Sequence, residues 1–218
     1  MTIDGPAASG KSSTAQMVAD ALGARHVDSG ALYRAITAAR LREGGAPEFW
    51  TEADVLAAAQ RVSLVPHARG FTVCIEGRDA EEELRGQAVT GLVSMVAKIS
   101  DVRGWVNAQV RATLRHGAVV CDGRDMGTAV FPDAALKVWL VALPEERARR
   151  RLLQRLGRPP SVEEIGPEAA ALEARDQRDA EQTQPAPDAE WVDGTGISQG
   201  EQVARIVALA ASRGMPLI

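Results

Sequence analysis

Aromatic side chains are scarce in this 218-residue chain, at 4% of its residues, with a single tyrosine and three phenylalanines. No stretch interleaves aromatic with basic residues, as a stacking platform for single-stranded nucleic acid would. Cysteine is almost missing: Cys74 and Cys121 lie far apart, no C-x-x-C occurs, and only three histidines accompany them. That pattern argues against a disulfide scaffold and against a zinc centre. No apolar run approaches the roughly 20 residues that cross a bilayer, and no charged-then-apolar leader precedes the first motif. Twenty-five basic residues against 29 acidic ones give a net charge of −4, the wrong sign for a surface that coats nucleic acid. Lysine is rare as well: Lys11, Lys98 and Lys137 are the only three, and arginine supplies the remaining positive charge. What is present is ordinary, 45% apolar and 25% charged residues. The expected class is a soluble cytoplasmic protein with one core, as one domain or one domain carrying an insert.

The order of elements points to an α/β fold with a parallel sheet. Met1 to Asp4 reads as a very short strand, and a glycine-bearing loop leads into a helix from about Lys11 to Leu22, stopped by Gly23. Arg25 to Asp28 is a second strand, after which Ser29 caps a helix that ends at Gly44-Gly45. Thr51 to Asp54 forms a capping box. Val62–Val65 and Phe71–Ile75 form a hairpin across Pro66 to Gly70. Helices follow over about Glu81–Ile99 and Val102–Leu114. Ala118–Asp122 and Leu136–Val141 are apolar without alternation, as strands buried on both faces are. An arginine-rich helix from Pro144 to about Leu156 breaks at Gly157 and Pro159-Pro160, and a second runs to about Glu181. A strand, Glu190–Asp193, and a helix, Gln199–Ser212, close the pattern. Core segments of about 1–44, 101–143 and 182–218 are expected to flank an insert of about 45–100 and a helical lid of about 144–181.

Gly5-Pro6-Ala7-Ala8-Ser9-Gly10-Lys11-Ser12 fits G-x-x-x-x-G-K-[ST] in full, between a strand and a helix. Such a loop turns successive backbone N–H groups inward around an anion, and the helix N-terminus adds partial positive charge. Lys11 then reaches the β- and γ-phosphates of a nucleotide, and the Ser12 hydroxyl takes one place on Mg²⁺. Lys11 is expected to face solvent and to pack against nothing. The motif leaves the reaction open. A GTPase needs N-K-x-D, and the one asparagine, Asn107, lies in Val-Asn-Ala; the L-S-G-G-Q element of transport ATPases is absent. A phosphotransferase with a small acceptor is what remains.

Two further runs sit where strands end, the place where ligands bind in open α/β sheets. Asp28-Ser29-Gly-Ala-Leu-Tyr33-Arg34 follows the second strand, and Arg34 could fork two oxygens of an anionic acceptor. Gly123-Arg124-Asp125-Met-Gly-Thr128 follows the third. Gly77-Arg78-Asp79 repeats part of it after the hairpin and reads as a turn with solvated charges. In the arginine-rich helix, Arg147, Arg149 and Arg155 read as a solvated face.

Gly5 to Ser13, Asp28 to Arg34 and Asp122-Gly-Arg-Asp-Met-Gly-Thr-Ala-Val-Phe-Pro132, with Arg175-Asp-Gln-Arg-Asp179 and Asp193-Gly-Thr195, resemble the bacterial cytidylate kinase family, in order over nearly the whole chain. The resemblance implies a P-loop nucleoside monophosphate kinase fold, and transfer of the ATP γ-phosphate to CMP or dCMP with Mg²⁺. It implies that Gly5 to Ser13 bind ATP, and that Arg150 and Arg151 are a lid pair stabilising charge in flight. It gives the CMP phosphate to Arg34 and Arg124, the cytosine to Ser94, Arg103 and Asp125, and the ribose to Arg175 and Asp179, with Ser29 and Tyr33 also at the CMP site. For Asp125 the chemistry of the residue agrees: a carboxylate accepts from the cytosine N4 amino group and is repelled by the O4 of uracil. Neither a nucleic-acid polymer nor a membrane is an expected partner, and a monomer is expected. Two features depart from the family. Gln182 stands where an arginine is usual, which weakens contacts to the base, and only Met1 to Asp4 precede the loop where several more residues are usual. The alternatives are a P-loop kinase for another small acceptor, and a nucleotide-binding switch without turnover.

Overall fold

The computed structural model describes residues 1–217, and their contacts divide the chain into two units, one of Met1–Ala24 with the residues from Val120 onward and the other of Arg25–Val119. In chain order the elements are β1 (Thr2–Asp4), α1 (Lys11–Ala21), β2 (Arg25–Asp28), α2 (Ser29–Arg42), α3 (Glu52–Ala59), β3 (Val62–Pro66), β4 (Phe71–Ile75), β5 (Arg78–Asp79), α4 (Glu81–Leu84), α5 (Gln87–Val96) and α6 (Ser100–Ala112). They continue as β6 (Val119–Gly123), β7 (Lys137–Val141), α7 (Pro144–Leu156), α8 (Val162–Asp179), β8 (Glu190–Asp193) and α9 (Gln199–Ser212).

In the first unit the strands lie in the order β6-β1-β7-β8, all parallel, with Ile3 opposite both Asp122 and Val138. β1 has a neighbour on each side and every one of its residues is buried, so three residues suffice for a central strand. β8 alternates between exposed and buried positions, and its Trp191 meets Trp139 across the ladder at 6.1 Å between ring centroids. At the opposite end of β7 from the phosphate loop, Lys137 donates to both carboxylate oxygens of Asp188 at 2.9 Å. The core is Ile3, Val18, Val120, Leu136, Val138, Leu140, Val192 and Ile206, from the sheet and from α1 and α9. Capping boxes of Ser198 with Glu201 and of Ser161 with Glu164 start α9 and α8. The fold is thus α/β around parallel strands, as expected. Among the described residues no helix is long and apolar enough to cross a membrane.

The second unit holds β2, the antiparallel strands β3-β4-β5, and helices α2 to α6. The hairpin and the Thr51–Asp54 capping box stand where the sequence put them. Four local readings change. Asp28, not Ser29, caps α2: its carboxylate accepts from the Ala31 N–H at 3.0 Å, and Ser29 is already helical and buried. The expected helix 81–99 is broken at Arg85 and Gly86, where Gly86 takes an extended conformation and caps α5. α6 starts two residues early and tightens into a 3₁₀ turn over Thr113–His116. Arg78 and Asp79 form β5, paired with Ile75 and Cys74, although both side chains stay exposed as a turn's would. Cys74 and Cys121 are buried and free, and burial pushes the Cys121 thiol up to about 12.

Gly5 links β1 to the phosphate loop so closely against β7 that a Cβ there would lie 2.1 Å from the Leu140 carbonyl oxygen. Gly5→Ala should therefore destabilise the fold by about 2–3 kcal/mol, as overpacking against fixed backbone does. Urea unfolding checks this, and an unchanged midpoint contradicts it.

Candidate active site

The loop from Gly5 to Gly10 leaves β1 and enters α1. Ala8 and Gly10 are left-handed, at φ 57° and 87°, and Ser9 between them is not. That alternation of hand is what folds successive backbone N–H groups into an anion-binding concavity. Lys11 corrects the expectation of a solvated side chain. It is buried, and its Nζ arches back to donate to the Pro6 carbonyl at 3.0 Å, because an ammonium taken out of water needs acceptors. Ser12 is half-buried, and the exposed Ser13 hydroxyl donates to the Gly10 carbonyl. The Ser9 hydroxyl is fully buried with no hydrogen-bond partner.

Asp4, the last residue of β1, is the first element of the site that sequence reasoning passed over. Its two carboxylate oxygens accept from the backbone N–H groups of Met126 and Gly127, at 2.9 and 2.8 Å. The turn that carries Arg124 and Asp125 is thereby fastened to the strand that launches the phosphate loop. Burial pushes the Asp4 carboxyl up to about 6; the two N–H groups and Lys11 oppose that shift, and Asp125 adds to it.

Of the acceptor-side residues, Arg124, Asp125, Arg175 and Asp179 belong to the first unit. Asp125 is buried on the turn after β6. Arg124 does not pair with it; its Nε lies 3.9 Å from Asp179, which also lies 3.6 Å from Arg175 one helical turn back on α8. Arg124, assigned to the CMP phosphate, is thus brought together with Arg175 and Asp179, the pair assigned to the ribose. Gln182 is half-buried in the 3₁₀ turn just beyond.

Ser29, Tyr33, Arg34, Ser94 and Arg103 belong to the second unit. Ser29 and Tyr33 are buried on α2. Arg34 Nη1 donates to the Leu84 carbonyl and to the Thr90 hydroxyl, both at 3.0 Å. Thr90 stands one turn before Ser94 on α5. Arg103 Nη1 reaches the Ala97 carbonyl just past that helix, at 3.1 Å. Both arginines are therefore anchored to the helix that carries Ser94.

The arginine-rich helix α7 divides differently from its sequence reading. Arg149 and Arg155 are exposed, at 58% and 56% of their side chains. Arg147 is 4% exposed and is a buried tie, not a solvated charge. Its Nε donates to the Ala142 carbonyl at 3.1 Å and its Nη1 to the Ala7 carbonyl at 2.8 Å and to Asp176 at 2.5 Å. Arg150 is held by Glu146 and by the carbonyls of Gly194 and Ile197, in the loop after β8. Arg151 pairs with Glu168 of α8 at 3.2 Å, and Arg155 shares that carboxylate. Gln202 was also missed, a polar residue on the buried stripe of α9 whose amide donates to Thr14 of α1. The only signal for it was its place on that apolar stripe.

A strand, an anion-binding loop with its lysine, and Arg124 on the turn after the neighbouring parallel strand, meeting Arg175 of α8 at Asp179, define the site of a nucleotide-dependent phosphotransferase. The cytidylate kinase family model matches residues 1–212. A cytidylate kinase of Thermus thermophilus is 43% identical over 95% of this chain and 96% of its own length. Those of Geobacillus kaustophilus and Geobacillus thermodenitrificans are 40% and 38% identical, each over 98% of this chain and 96% of their own. The chain belongs to the cytidylate kinase family, and its activity is phosphoryl transfer from ATP to CMP or dCMP.

The folded Asp4 carboxyl titrates at about 6 against 3.8 for an ordinary aspartate, so the native state holds the extra proton between those values. Stability from this group is complete below about pH 4 and is lost as pH rises through 6, a loss of about 3 kcal/mol for a two-unit shift. Asp4→Asn cannot titrate. The stability of the wild type relative to Asp4→Asn should fall by that amount between pH 4 and pH 7 in urea unfolding, and a constant difference contradicts the assignment.

Proposed function

We propose that the chain moves the γ-phosphate of ATP to CMP or dCMP without a covalent intermediate, by holding two anions in line and stabilising the charge between them. The observation that carries this reading is the alternating-hand loop with Lys11 folded over it, bonded through Asp4 to the turn bearing Arg124 and Asp125. Gly5 to Ser13 hold the ATP phosphates, and Lys11 exchanges the Pro6 carbonyl for β- and γ-phosphate oxygens. Arg150 and Arg151 stabilise the phosphoryl group in flight. The family pattern gives the CMP phosphate to Arg34 and Arg124, the base to Ser94, Arg103 and Asp125, and the ribose to Arg175 and Asp179, and assigns Ser29 and Tyr33 to CMP binding as well.

The residues present fit a Mg²⁺ ion that arrives with the nucleotide. Among the described residues no cluster of three or more His, Cys, Asp or Glu is placed to hold a metal. Mg²⁺ characteristically takes most of its oxygens from phosphates and water and needs few from protein. Ser12 would hold it, and the ion would neutralise the phosphate oxygens. The reading extends to a cytoplasmic monomer.

Asp125 tests the acceptor. As an acceptor for the cytosine N4 amino group it contributes a charge-assisted bond worth about 1.5–3 kcal/mol, or ten- to a hundred-fold in kcat/KM. Asp125→Ala should lower kcat/KM for CMP by that factor and leave UMP unchanged or improved, so that the CMP-to-UMP ratio collapses towards one. Equal losses on both substrates would mean that the carboxylate organises the turn and that the base is read elsewhere. Arg34→Ala and Arg124→Ala should each raise KM for CMP and lower kcat, because a misplaced acceptor also spoils alignment.

A further inference from the structure

The Ala7 peptide of the phosphate loop is gripped on both sides by residues with no role in the reading above. Its N–H donates to Asp176 Oδ1 at 3.0 Å, and its carbonyl accepts from Arg147 Nη1 at 2.8 Å. Arg147 closes the ring by donating to the other Asp176 oxygen at 2.5 Å. Beneath this ring Ala7 packs with Ala148 and Leu152 of α7 and with Ile165, Ala169 and Leu172 of α8, and Ala8 leans on the same cluster. The two helices therefore meet the phosphate loop through one apolar patch and one ion pair.

The ring poses an electrostatic problem. A carboxylate held 3.0 Å from a backbone nitrogen of this loop stands beside the place where a nucleotide polyphosphate must sit, and like charges there oppose binding. Arg147 is the partner that cancels it. Its side chain is 5% exposed and that of Asp176 23%, so water screens the pair poorly.

We infer that Arg147 and Asp176 are positioning residues for the donor nucleotide: Asp176 fixes the Ala7 peptide, and Arg147 neutralises Asp176 so that the fixed loop accepts ATP. The pair touches neither substrate and acts through Ala7. This rests on the reading of Gly5 to Ser13 as the ATP loop. Because Asp176 follows Arg175 directly and precedes Asp179 by less than one turn, the tie also joins the donor loop to the helix assigned to the acceptor ribose.

The inference makes an unusual demand, that removing both charges should do less harm than removing the cation alone. In steady-state assays at saturating CMP, Arg147→Gln should raise KM for ATP about tenfold or more, since it leaves the carboxylate uncompensated. Asp176→Asn, whose amide oxygen can still accept from Ala7, should raise it about threefold, and the Arg147→Gln/Asp176→Asn double variant should return to within about threefold of wild type. Arg147→Lys, which keeps the charge but loses the guanidinium fork, should raise it by less than about tenfold and less than Arg147→Gln does. KM for CMP at saturating ATP should move less than twofold throughout.

A double variant as poor as Arg147→Gln or worse overturns the inference, as does a rise in KM for CMP that matches the rise for ATP. Thermal melts identify any variant unfolded at the assay temperature. If Arg147→Gln is one, Arg147→Lys and Asp176→Asn carry the test, and a KM for ATP raised tenfold in Arg147→Lys overturns the inference. Lys11→Ala separates the two readings. If it keeps normal ATP use, the ATP-loop assignment has failed; if it abolishes transfer and the double variant shows no recovery, only the role of the pair has.

Discussion

Carboxylates that accept from backbone N–H groups, one buried and one half-buried, are the constraint on which the phosphate-loop unit rests. Glycines and alanines give that loop its curvature but almost no side chain with which to hold itself in place. Asp4 secures its entrance by binding the Met126 and Gly127 peptides, and Asp176 secures its crest by binding Ala7. Each bond is charge-assisted and so stronger than one between neutral groups. Each also takes a negative charge into a site that must receive negative substrates: burial pushes the Asp4 carboxyl up to about 6, and Arg147 lies against Asp176.

The arginines of the same unit follow from this. Arg124 and Arg175 stand at the Asp179 carboxylate, Arg150 holds Glu146 and two backbone carbonyls, and Arg151 holds Glu168. A guanidinium has five donors in a planar fork, so it can keep a protein partner and still offer an edge to a phosphate. Lysine would serve that purpose less well, and the one lysine at the site, Lys11, has the different task of a compact charge arched over the loop.

Much of this was legible in the sequence because it is local. G-x-x-x-x-G-K-S between a strand and a helix, the buried strands without alternation, and the capping box at Thr51 depend on neighbours within a few residues. What was misread depends on distance. Arg147 looks like its exposed neighbours Arg149 and Arg155, since nothing along α7 reveals that Ala7, 140 positions away, presents a carbonyl to it. Asp4 looks like the end of a strand until the Met126 turn folds against it, and Gln202 is a polar residue on an apolar stripe with no visible partner until Thr14 faces it. Asp28 and Ser29 are both good caps, and only the observed bond to Ala31 decides between them.

The claim at the centre is that this loop and these arginines exist to join ATP to a cytidine monophosphate. A coupled ADP-release assay on the purified chain with ATP, Mg²⁺ and, in turn, CMP, dCMP, UMP, AMP and shikimate addresses it most directly. The account predicts that CMP and dCMP are the preferred acceptors and that AMP and shikimate give no more ADP than the no-acceptor control. Preference for AMP or shikimate, or ATP binding with no ADP release for any acceptor, would contradict it.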